Sequence, residues 1–167
     1  MATIHLICGP TGSGKTTYSH RLAQELGCAR FAIDDWMATL FFPDSPPRLQ
    51  WDWVRTRVER CEHQIWCVCR QLLELGQDVV LDLGLPKRHH RDRFSVRAAE
   101  ASAELKLHVI EADREVRKAR VLERNHSHTD IFGFRVTEEM FDYMESVFEP
   151  PTGAELDSAQ VISTDAP

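Results

Sequence analysis

Gly9-Pro10-Thr11-Gly12-Ser13-Gly14-Lys15-Thr16 fits the pattern G-x-x-x-x-G-K-[ST], and few other features so restrict what a chain can fold into. The glycines open backbone angles closed to other residues, so that successive N–H groups can turn inward around a phosphate. Lys15 can reach that anion as a point charge, and the Thr16 hydroxyl can ligate a magnesium ion. The flanks agree with the motif. Thr3-Ile4-His5-Leu6-Ile7-Cys8 reads as a short buried strand, and Thr16 to Leu26 reads as a helix closed by Gly27. Gly9, Pro10, Thr11, Gly12, Ser13, Gly14, Lys15, Thr16 and the following Thr17 are the candidate phosphate contacts.

The rest of the chain repeats this alternation. Strand-like runs occur at Ile4–Cys8, Arg30–Ile33, Val79–Leu83, Leu107–Ile110 and Gln160–Ser163, with helical patterns between them. Such alternation predicts a parallel sheet with helices on both faces. Leu49 to Leu75 is the longest helical pattern, with Cys61, Ile65, Cys69 and Leu72 on its apolar stripe. Pro86 is the expected opening of a helix to about Ala103, and Asp113 the expected cap of one ending near Arg124. Thr137 should start a helix to Phe148, stopped by Pro150-Pro151. Phe42 to Pro47 is expected to be non-helical. Asn125 to Val136 has no clear period, and residues 114–136 are the expected lid over the phosphates.

At 167 residues the chain is expected to be one domain. No apolar run approaches the roughly 20 residues that span a bilayer. Five cysteines without a disulfide-like framework, and no leader pattern, suggest the cytoplasm. The net charge is −6, yet Lys87 to Arg124 holds 11 Lys/Arg against 7 Asp/Glu. A local basic stretch on an acidic chain argues against broad nucleic-acid binding and suits a local anion site.

Three further groups of residues carry chemistry. Val79-Val80-Leu81-Asp82 is an apolar strand ending in a carboxylate, and ligands of parallel sheets bind at the carboxyl ends of strands. Asp82 is therefore a candidate magnesium ligand, the alternative being a solvated turn residue. Asp34 and Asp35 follow the second strand, where one acid could accept a proton from an attacking hydroxyl and the other could cap the next helix. Asp34 is assigned as the base and Asp35 as the cap. Arg117, Arg120 and Arg124 share a helix face that could aim at a transferring phosphate, or be a solvated basic face. Cys61, Cys67, Cys69 and His63 match no common zinc spacing and read as core and surface residues. Trp51 and Trp53 cannot both face the core, so one could stack on a planar substrate.

With these residues placed, the chain resembles the small P-loop kinases grouped with polynucleotide 5′-kinases, zeta toxins and chloramphenicol phosphotransferases. The resemblance runs through the glycine loop, Ile33-Asp34-Asp35-Trp36-Met37, Val80-Leu81-Asp82-Leu83-Gly84, Arg124-Asn125, and the segments Val136–Phe141 and Phe148–Pro151. It implies a three-layer α/β P-loop NTPase fold of the kinase type with a five-stranded parallel sheet. It also implies ATP and Mg²⁺, Asp34 as base, and Arg120 or Arg124 as lid arginines. After Arg124-Asn125 the polynucleotide kinases carry a further basic residue, where this chain has His126-Ser127-His128. The expected activity is therefore ATP-dependent transfer to a small-molecule hydroxyl, with Lys15, Asp34, Arg120 and Arg124 catalytic and Thr16 and Asp82 on the metal. A polynucleotide 5′-hydroxyl kinase and a nucleotide-binding regulatory ATPase are the alternatives.

Overall fold

A computed structural model describes residues 1–48, 50–124 and 136–165. Five strands, β1 (Thr3–Cys8), β2 (Ala29–Ala32), β3 (Val79–Asp82), β4 (Glu104–Glu111) and β5 (Gln160–Ser163), form one sheet in the order β2-β3-β1-β4-β5. Every neighbouring pair is parallel. β1 is central because it is apolar on both sides, and all six of its residues are buried. β3 and β4 flank β1 on opposite sides, so the strand order reverses at β1, and parallel sheets bind ligands at the carboxyl end of such a switch point.

Helices cover both faces. Helix α1 (Lys15–Leu26) packs Tyr18 and Ala23 against Ile7, Val80 and Ile110. On the other face, α3 (Trp51–Glu74) and α4 (Arg88–Glu100) bury Cys61, Ile65, Cys69, Phe94 and Ala98 against Ile4, Leu6, Val79 and Leu81. Trp66 and Phe94 meet edge to face, with centroids 6.2 Å apart, and join these two helices. Helices α5 (Arg114–Arg124) and α6 (Glu138–Val147) stand beside the glycine loop, and the short α7 (Ala154–Asp157) leads into β5. Thr137 caps α6 by accepting the Met140 N–H at 3.2 Å, and Asp113 Oδ1 accepts the Glu115 N–H at 2.8 Å at the start of α5. Among the described residues no helix is long and apolar enough to cross a membrane.

Several boundaries differ from the expectation. The strand read as Arg30–Ile33 ends at Ala32, and Ile33 already begins helix α2 (Ile33–Leu40). Phe42–Asp44 forms a 3₁₀ turn inside the stretch expected to be non-helical. Helix α4 begins at Arg88 rather than Pro86, because the Pro86 carbonyl is taken by the Glu149 N–H at 2.7 Å and Lys87 is extended. α7 was not foreseen, since four residues show no period. Of the expected lid, 125–135 lies outside the described residues, and His126-Ser127-His128 with it.

Candidate functional site

The loop after β1 folds tightly against its neighbours. Gly12 (φ 79°) and Gly14 (φ 90°) adopt left-handed conformations. A Cβ on Gly12 would lie 2.6 Å from the Arg117 carbonyl oxygen and 2.9 Å from Val121 Cγ2, so only glycine lets α5 approach this closely. The Ser13 carbonyl accepts a hydrogen bond from Thr164 Oγ1 at 2.8 Å, which ties the loop to the residue after β5. Thr11 Oγ1 lies 3.5 Å from the Met144 sulfur, so α6 also touches the loop.

Helix α1 starts at Lys15, directly after the left-handed Gly14, without a side-chain cap or an acidic first turn. Such an end attracts anions through its unpaired donors and its dipole. Lys15 Nζ donates to Gly9 O (2.9 Å) and Pro10 O (2.8 Å). An ammonium has three protons, and these bonds use two. Burial pushes the Lys15 ammonium below its ordinary range, while Asp82 and Asp34 pull it back up. Thr16 and Thr17, in the first turn, are exposed.

Three carboxylates lie at the ends of β2 and β3, and two of them, Asp82 and Asp34, act on Lys15. Asp34 is half-buried in the first turn of α2, and among the described residues nothing hydrogen-bonds to it. Its pKa is raised from 3.8 to about 6, chiefly by burial and then by Asp82 and Asp35, against the pull of Lys15 and Arg124. Asp35 is not the helix cap the sequence suggested: α2 has no side-chain cap, and Asp35 Oδ2 instead receives Arg30 Nη1 at 2.7 Å. Its charge still suits the positive end of α2. Asp82, only 7 % exposed, accepts from Ser19 Oγ (3.0 Å) and Arg30 Nη2 (3.2 Å) through Oδ2.

The three arginines do not share one task. Arg117 is buried and grips Glu145 with both Nη atoms, at 2.6 and 2.7 Å, while Nη1 also reaches Thr11 O at 3.2 Å. It joins α5 to α6 and braces the loop from outside. Arg120 donates through Nη1 to Thr164 Oγ1 at 3.1 Å and through Nη2 to the Thr164 carbonyl. Arg124 is exposed at the last position of α5, and its charge acts on both Lys15 and Asp34. Near the mouth, Trp51 is 72 % exposed and meets Tyr143 of α6 at 5.9 Å, whereas Trp53 stacks on Phe42 beneath the Arg57 guanidinium. Cys61 and Cys69 lie in the core, and Cys67 sits on another side of α3 beside His63.

Arg30, Ser19, Glu145 and Thr164 escaped the sequence reading. Only Arg30 carried a signal, as the sole charge in the strand Ala29-Arg30-Phe31-Ala32. The site fits a magnesium nucleotide. Its candidate metal donors, Thr16 and Asp82, are hard oxygen ligands, and no group of three or more metal-binding His, Cys, Asp or Glu side chains exists among the described residues. Magnesium suits such sparse sites, because substrate phosphates and water complete its shell.

The fold recurs in solved structures. A candidate kinase from Chloroflexus aurantiacus j-10-fl superposes with a TM-score of 0.77 at 16 % identity, over 98 % of this chain and 89 % of its own. Kti12 from Chaetomium thermophilum, solved with ADP-AlF3, gives 0.68 at 16 % identity over 97 % and 89 %. A gluconokinase from Sinorhizobium meliloti 1021 gives 0.58 at 19 % identity over 99 % and 84 %. At these identities the likeness is one of fold. No curated protein matches the sequence. The family model AAA_33, described as an AAA domain, matches residues 4–151, and the chain therefore belongs to the AAA_33 family with a P-loop, kinase-like α/β fold.

Proposed function

We propose that this chain is an ATP-dependent phosphotransferase that moves the γ-phosphoryl group to a hydroxyl of a small molecule. The observation that carries this reading is the division among the three acids. Arg30 holds Asp35 and Asp82, while the Asp34 carboxylate has no hydrogen-bond partner among the described residues and is tuned to about 6. Either an acceptor alcohol or water could be the hydroxyl it activates, and acceptor-dependent turnover is what separates the transferase from a hydrolysing switch. A base near neutral pH is what deprotonation of a hydroxyl requires.

In this reading the loop amides from Gly9 to Gly14 and the start of α1 at Lys15, Thr16 and Thr17 cradle the phosphates. Lys15 spends its remaining proton on the triphosphate. Asp34 orients the acceptor hydroxyl and takes its proton as the oxygen bonds to the γ-phosphorus, with ADP as leaving group; the proton then passes to solvent. Arg124, and Arg120 once released from Thr164, offset the charge of the transferring group. Thr16 and Asp82 would hold Mg²⁺, which supplies charge neutralisation at the phosphates. The chain is read as a single domain. The acidic balance of the chain favours a small acceptor such as an antibiotic, sugar, nucleoside or nucleotide sugar over a nucleic-acid end.

The test is a panel of hydroxyl compounds of those classes, read by ADP release from ATP. At least one should raise turnover well above the acceptor-free rate and appear as a phosphate ester. Nucleotide binding with no acceptor-dependent turnover across the panel, oligonucleotides included, would favour the regulatory ATPase instead.

A further inference from the structure

Arg30 lies on β2, the outermost strand of the sheet, yet its side chain is only 9 % exposed. Its nitrogens reach three elements. Nε donates to Ser19 Oγ of α1 at 2.8 Å, Nη1 to Asp35 Oδ2 of α2 at 2.7 Å, and Nη2 to Asp82 Oδ2 at the end of β3 at 3.2 Å. The register explains this reach. Arg30 pairs with Val80 and Ala32 with Asp82, so Arg30 and Asp82 project from the same side of the sheet, the side covered by α1.

Asp82 is thereby held from one direction. Its Oδ2 accepts from both Arg30 and Ser19, and Oδ1 accepts from no described residue. Ser19 continues the chain inward, because its hydroxyl also lies 2.9 Å from the carbonyl of Thr16, the other candidate metal ligand. Ser19 has one proton, shared between that helix carbonyl and Asp82 Oδ2, while its oxygen accepts from Arg30 Nε, so it steadies Asp82 rather than the Thr16 hydroxyl. No hydrogen bond of Arg30 goes to the phosphate loop. An ion pair that only braced the fold would serve equally well with either carboxylate oxygen engaged.

We propose that Arg30, with Ser19, is a positioning residue that fixes Asp82 by Oδ2 and leaves Oδ1 for a magnesium ion bound with the nucleotide. The inference rests on the function proposed above and adds the residues that orient its metal site. Partners that orient a metal-binding carboxylate typically change metal affinity by about 10–100-fold when removed.

The experiment is calorimetric binding of a non-hydrolysable ATP analogue across a range of MgCl₂ concentrations, for wild type, Arg30→Met, Arg30→Lys and Ser19→Ala. Arg30→Met should raise the magnesium midpoint about tenfold or more, while affinity measured without magnesium changes little, since Arg30 does not bond to the loop. Arg30→Lys should fall between wild type and Arg30→Met, because one ammonium cannot satisfy three acceptors in a fixed fork. An Arg30→Met variant with an unchanged or lower magnesium midpoint overturns the proposal. If Arg30→Met does not fold, Ser19→Ala decides: an unchanged midpoint overturns the proposal and a raised one supports it. Wild type that fails to bind the analogue at all removes the nucleotide site, and this proposal with it; wild type that binds with normal magnesium dependence isolates the role of Arg30.

Discussion

On one side of the glycine loop a single arginine holds two of three carboxylates; on the other, two arginines are each locked onto oxygen acceptors. On the acid side, formed by β2, α2 and β3, Arg30 holds Asp35 and Asp82, and Asp34 is left over. On the arginine side, formed by α5, α6 and the end of β5, Arg117 is committed to Glu145 and Arg120 to Thr164. The difference teaches that charge at a phosphate site has two uses. The acid side leaves one carboxylate unengaged among the described residues, and the arginine side spends its inner charges on building the wall that the loop leans against. A helix face of evenly spaced arginines therefore says little about which of them meets a ligand.

The largest effect should come from that carboxylate. Asp34→Asn is expected to lower acceptor-dependent transfer by about 10²–10⁴-fold, the usual worth of a general base, while nucleotide affinity stays near wild type. Full transfer activity in that variant would remove the contrast between the two sides. On the arginine side the loss should appear in stability instead. Glu145→Ala leaves the Arg117 guanidinium buried without its counter-charge and should cost about 3 kcal/mol in chemical denaturation. Replacing Glu25, whose pair with Arg21 is exposed, should leave the midpoint unchanged. If both substitutions leave stability unchanged, Arg117 is not a structural brace.

A smaller effect follows from pH. Asp34 accepts a proton only when ionised, and its pKa in the free protein is raised to about 6. With ATP held well below saturation, so that the rate reports the free enzyme, kcat/KM for the acceptor should hold above pH 6 and fall about tenfold per unit below it. A profile still flat at pH 5 would show either that Asp34 keeps an ordinary carboxylate pKa or that another group takes the proton.

How much of this was legible beforehand depends on sequence distance. The strand, the glycine loop and α1 are contiguous, so their residues announce the structure directly. Asp34 and Asp82 were readable because apolar strands end just before or at them. The boundary at Ile33 was not, because Phe31-Ala32-Ile33 continues an apolar run while the two acids after it already stabilise a helix turn. The partners that decide each charge are far away in the chain: Arg30 finds Asp82, Arg117 finds Glu145, and Ser13 is held by Thr164. Helical spacing placed Arg117, Arg120 and Arg124 on one face, but only the packing of α6 and β5 against that face shows which of them are already engaged.

Titration calorimetry of magnesium ATP into the wild-type protein and Lys15→Ala tests the central claim most directly. The account predicts saturable one-to-one binding to wild type and an affinity at least about tenfold weaker in Lys15→Ala, because a charge-assisted contact to the phosphates is lost. No binding heat with wild type, or equal binding by the two proteins, would contradict it.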